Sequence, residues 1–121
     1  MATIKSYTDL EQSKKLAEIL SLESSDMIWI LANPDLPFIR AIAYKDSEKS
    51  KHYEIFPAWS LAALLNILPY PQLSKDKLGS GKVGWIVSVY PNDCRYDFCW
   101  NDNPLDACYE MILKLNELNL L

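Results

Sequence analysis

The chain has one histidine, three glycines and three cysteines among 121 residues. With so little histidine, any Cys–His or Ser–His nucleophile would have to use His52. So few glycines argue against a loop-dominated backbone. The cysteines Cys94, Cys99 and Cys108 are odd in number and none stands in a close CxxC pair. Neither a disulfide framework nor a structural metal site is therefore expected. The longest apolar run, Leu61 to Leu68, is broken by Asn66 and falls far short of the ~20 residues that span a membrane. The opening MATIKSYTDLEQSKK lacks the apolar core and cleavage pattern of a secretory signal. Together with sparse thiols this leads to an expected cytoplasmic location. Positive charge is also short. Lys and Arg number 12 against 16 Asp and Glu, a net charge of −4, which offers no basic face for nucleic acid.

Bulky apolar material is plentiful. Half the residues are hydrophobic and 23% are charged, and four Trp, seven Tyr and three Phe are present. That composition suits a globular domain with a substantial core. The expectation is one α+β domain over residues 1–121. No internal repeat or linker divides it.

Thr8-Asp9-Leu10-Glu11 fits a helix capping box with Thr8 as N-cap, followed by the helix formers QSKKLAEIL. Met27–Ala32 is apolar without alternation and reads as a strand covered on both faces. Phe38–Tyr44 and His52–Phe56 read as two further strands, completing an antiparallel meander. Pro57 suits the first turn of a second helix. Its sequence WSLAALLNIL is apolar nearly all round and is expected to be deeply buried. Pro69 and Pro71 stop it. Gln72–Lys82 reads as a flexible connector that proteases would cut first.

Val83–Tyr90 alternates as a strand. Pro91–Cys94 forms a turn, and Tyr96, Phe98 and Trp100 alternate with Arg95, Asp97 and Cys99 on a hairpin partner. The last helix starts with Asn103 as N-cap and Pro104 at its first position. Its apolar stripe is Leu105, Cys108, Met111, Ile112, Leu115 and Leu118, and Glu110 and Lys114 are spaced for an i,i+4 pair. The order is α-β-β-β-α-β-β-α. About five strands in an antiparallel sheet, packed with three helices, make a two-layer α+β fold.

The residue patterns that could carry chemistry are sparse. Gly79-Ser80-Gly81-Lys82 resembles the end of a phosphate-binding loop, but Asp76 stands where that motif needs Gly and Val83 where it needs Ser or Thr. Asp93, Asp97, Asp102 and Asp106 could serve acid–base chemistry, yet turn, strand-surface and helix-start roles account for each. His52 reads as a solvated residue at a strand edge, and Cys108 as a packed core residue. Catalytic, cofactor-binding and metal-binding residues are accordingly all read as none.

Tyr96, Phe98 and Trp100, with Trp85 on the neighbouring strand, form an aromatic row suited first to core packing and second to a protein–protein surface. The apolar strand surface exceeds what three helices readily cover, so a homodimer or a bound protein partner is expected. Nucleic-acid and membrane partners are not.

Three segments resemble a family of small proteins of unknown function from gut bacteria and their phages or mobile elements. They are Tyr7–Met27, Pro57–Pro69 and Asn103–Leu121. Members commonly carry Cys at the position of Ala58 and His at that of Asn116, which this chain lacks. The resemblance implies no catalytic residues. The functional expectation is a non-enzymatic, protein-binding accessory protein encoded by a mobile element. The alternative is a small enzyme or nucleotide-binding protein using the Lys75–Lys82 loop and nearby carboxylates.

Overall fold

A computed structural model describes residues 5–31, 35–42, 54–77, 83–100 and 103–121, apart from the side chains of Asp76, Val83, Phe98, Cys99 and Trp100. Among the described residues it is an α+β fold of three helices and six strands, the strands divided between two three-stranded antiparallel sheets. The chain resolves into two compact units, Tyr7–Ala63 and Leu64–Leu121 with Met1–Ser6.

In the first unit, helix α1 (Leu10–Ala17) precedes strands β1 (Met27–Leu31), β2 (Phe38–Arg40) and β3 (Glu54–Ala58). A 3-10 turn at Leu22–Ser24 links α1 to β1. The N-cap of α1 is Asp9, with Gln12 completing the capping box, rather than Thr8 with Glu11. Asp9 Oδ1 accepts from the Gln12 N–H at 2.8 Å, and Gln12 Oε1 accepts from the Asp9 N–H at 3.1 Å. Thr8 is engaged elsewhere. Its hydroxyl bonds the Ser13 hydroxyl at 2.7 Å and accepts from the Trp59 N–H at 3.1 Å. Its own N–H donates to the Trp59 carbonyl at 2.9 Å. Trp29 Nε1 adds a bond to the Thr8 carbonyl at 2.9 Å. Thr8 and Ser13 are fully buried, so these bonds satisfy polar groups that burial would otherwise penalise. Tyr7 packs edge-on against Trp29, centroids 5.9 Å apart.

The three strands are not a meander. Their order is β2-β1-β3, with β1 at the centre. Trp29 sits opposite Ile39 on one side and Phe56 on the other. A central strand has both backbone edges paired, and β1 is the one strand of the three with no charged residue or proline. β1 also alternates after all: Ile28 and Ile30 are buried, while Met27, Trp29 and Leu31 are half-buried. Pro57 does not open a helix. It lies in β3, opposite Ile28. β3 is an edge strand, where the missing N–H breaks no ladder bond if it faces outward. The φ fixed by the ring suits extended backbone as well as helix. The outer ends of the two expected strands, Ala43–Tyr44 and His52–Tyr53, lie outside the described residues.

Helix α2 (Leu61–Ile67) begins four residues later than expected, and the division between the two units falls within it. Ser60 holds its start. The Ser60 Oγ accepts from the Ala63 N–H at 3.2 Å. Asp26 Oδ1 in turn accepts from the Ser60 N–H at 2.8 Å, and Asp26 Oδ2 bonds the Ser60 hydroxyl. The helix is less buried than its composition suggests. Leu64 is sealed, but Ala62 and Asn66 are exposed. Seven residues make only two turns, so one face of the helix can remain open even with apolar side chains on it.

In the second unit, strands β4 (Gln72–Lys77), β5 (Val83–Val89) and β6 (Tyr96–Trp100) form the second sheet in that order, and helix α3 (Pro104–Glu117) packs on β5 and β6. The first half of the expected connector is therefore a strand, paired from Gln72↔Ser88 to Lys77↔Val83. Ser, Lys and Asp are weak strand formers, but charged residues suit the outer edge of a sheet, where they discourage pairing with other chains. The rest of the connector, Leu78–Lys82, lies outside the described residues.

Between β5 and β6 a 3-10 turn at Pro91–Asp93 places Asn92 and Asp93 at φ 52° and 62°. Both residue types tolerate this left-handed conformation. Helix α3 starts as expected. Asn103 Oδ1 accepts from the Asp106 N–H at 2.8 Å, and Pro104 follows in the first turn. Leu105, Cys108, Met111, Ile112 and Leu115 are buried, but Leu118 is the exposed C-cap. Lys114 meets Glu117 at 3.7 Å rather than Glu110.

Asp9→Ala and Asn103→Ala should each cost about 1 kcal/mol, because each leaves an N-terminal amide without its acceptor. Urea titrations of the two variants check this, and a loss below about 0.3 kcal/mol at either would show that the cap is dispensable there. No helix of the described residues is long and apolar enough to cross a membrane.

Candidate interaction surface

The β5–β6 register turns the aromatic row into a defined surface. Trp85 lies opposite Trp100, Val87 opposite Phe98, and Val89 opposite Tyr96. Residues directly opposite in an antiparallel pair share a face, as do alternate residues along each strand. All four aromatic positions therefore share one face of the sheet with Val87 and Val89. β4 extends that face outward through Leu73, opposite Val87, and Lys75, opposite Trp85.

Burial along this face is graded. Val87 and Val89 are fully buried, as the core beneath α3 requires. Trp85, Tyr96 and Leu73 are only half-buried. Lys75 Nζ stands 5.5 Å from the centroid of the Trp85 ring, within range of a cation–π attraction. Trp85 and Tyr96 are thus partly accessible, with a cation beside Trp85.

The opposite face carries Ile86 and Ser88 on β5, with Asp97 opposite Ser88 on β6. Arg95 Nε donates to Asp97 Oδ1 at 2.8 Å, and Arg95 Nη2 lies 3.5 Å from Ser88 Oγ. That hydrogen bond, helped by Ser88, holds the Asp97 carboxyl below its ordinary value and raises Arg95. Both side chains are exposed, and such surface pairs add little stability.

The remaining chemistry-bearing residues are dispersed. Asp106 receives bonds from Lys5 Nζ at 3.2 Å and from Asn103 Nδ2 at 2.8 Å. Asp93 is exposed in its turn. Cys94 is exposed and Cys108 is buried, and both are free thiols. Among the described residues no group of three or more His, Cys, Asp or Glu is arranged to hold a metal ion. His52, Gly79–Lys82 and Asp102 lie outside the described residues.

Burial pushes the Cys108 thiol up to about 12. A thiol-specific reagent at neutral pH should therefore modify Cys94 quickly in the folded protein and Cys108 only on unfolding. Mass spectrometry of the labelled peptides distinguishes them, and fast labelling of Cys108 would show that α3 is not packed as described. The same shift sets a direction for stability. As pH rises above about 9, the unfolded thiol ionises while the folded one stays neutral, so folding weakens toward pH 12.

Two exposed features escaped the sequence reading. Leu36, two residues before β2, and Phe38, its first residue, are 71% and 47% exposed. Leu36 stands between Asp35 and Pro37 in a turn-rich segment, whereas nothing in the local pattern of Phe38 separates it from buried strand residues. Tyr70 is 81% exposed and adopts a left-handed φ of 48°, unusual for an aromatic residue. A residue before proline is pushed toward extended backbone with negative φ, so Pro71 did not signal this conformation. The Pro69 carbonyl accepts from the Tyr90 N–H at 3.0 Å, which ties this turn to the end of β5.

Comparison of the chain with protein-family models, with curated proteins and with solved structures finds no match in any of the three.

Proposed function

We propose that this chain is a non-enzymatic, protein-binding accessory protein, and that it binds through the aromatic face of the β4–β5–β6 sheet. Trp85, Tyr96, Phe98 and Trp100 are the contact residues, and a second copy of the chain is the first partner to test. One observation carries the reading. The register sets Trp85 opposite Trp100, yet Trp85 is half-buried beside Lys75 while Val87 and Val89 on the same face are sealed.

A partly open tryptophan is the kind of group that dominates protein interfaces, where Trp, Tyr and Arg are enriched among hot spots. The net charge of −4 favours a protein over a nucleic-acid partner.

Light scattering across a range of protein concentrations tests the proposal. The mass should rise toward that of a dimer, and Trp85→Ala should shift the transition by about 2 kcal/mol or more, roughly 30-fold in concentration. A monomer mass at every concentration would overturn self-association. A dimer unaffected by Trp85→Ala would move the contact off this face.

A further inference from the structure

We draw no further inference here: the strongest candidate, the exposed apolar patch of Leu36 and Phe38 around the start of edge strand β2, carries nothing because no feature of the structure shows what covers it.

Discussion

Trp59→Ala should cost about 3–5 kcal/mol, the range for truncating a large buried aromatic residue. Trp59 is the largest fully buried side chain described. Two effects act together. The lost ring leaves a cavity that rigid neighbours fill only in part. The indole Nε1 also donates to the Ser24 hydroxyl at 3.0 Å; its removal takes that bond away, while the Ser24 hydroxyl still donates to the Ser21 carbonyl at 2.6 Å. The backbone of Trp59 is bonded in both directions to Thr8, next to the N-cap of α1.

Small domains are stable by only about 5–15 kcal/mol, so the variant should lose a large share of its stability. Trp29→Phe supplies the contrast. Trp29 is half-buried and its Nε1 makes one bond, to the Thr8 carbonyl, so its loss should cost about 1 kcal/mol. Denaturant midpoints for both variants give the comparison. Equal small losses would show that Trp59 does not anchor this unit.

The second large effect belongs to α3. Leu115→Ala should cost about 2–5 kcal/mol, because Leu115 is fully buried. Leu118→Ala should change stability by less than about 0.5 kcal/mol, because Leu118 is 42% exposed at the C-cap. Both leucines fit the same apolar stripe at i and i+3, so periodicity cannot rank them. The difference arises where the helix ends. Its last amides bond back to Lys114 and Asn116, Asn119 turns to a φ of 56°, and the chain leaves the helical path before Leu118 can pack. Loss of 2 kcal/mol or more at Leu118, or under 0.5 at Leu115, would contradict this account.

The candidate surface was legible in part. The alternation of Tyr96, Phe98 and Trp100 along one strand, and of Trp85, Val87 and Val89 along the other, is written in the residues. Which pairs stand opposite is not, because register depends on backbone bonds between strands. A shift of one residue would move every side chain to the other face. Nor does the pattern show that Trp85 is half-buried while Val87 is sealed. That depends on the reach of α3 and on Lys75 from a strand the sequence presented as a loop.

The amino-acid sequence alone determined the features that depend on near neighbours. The α+β class, the start of α3 at Asn103 and Pro104, its stripe from Leu105 to Leu115, the alternation of β5 and the turn at Pro91 each involve residues within one or two turns of one another. Only the tertiary structure decided the rest. It gave β1 the central place in its sheet, drew Gln72–Lys77 into an edge strand, put Pro57 in β3, and diverted Thr8 from capping α1 to bonding Trp59. These outcomes share a physical cause. Each depends on a backbone or polar group finding a partner distant along the chain, and local propensity is weak enough for such pairing to override it.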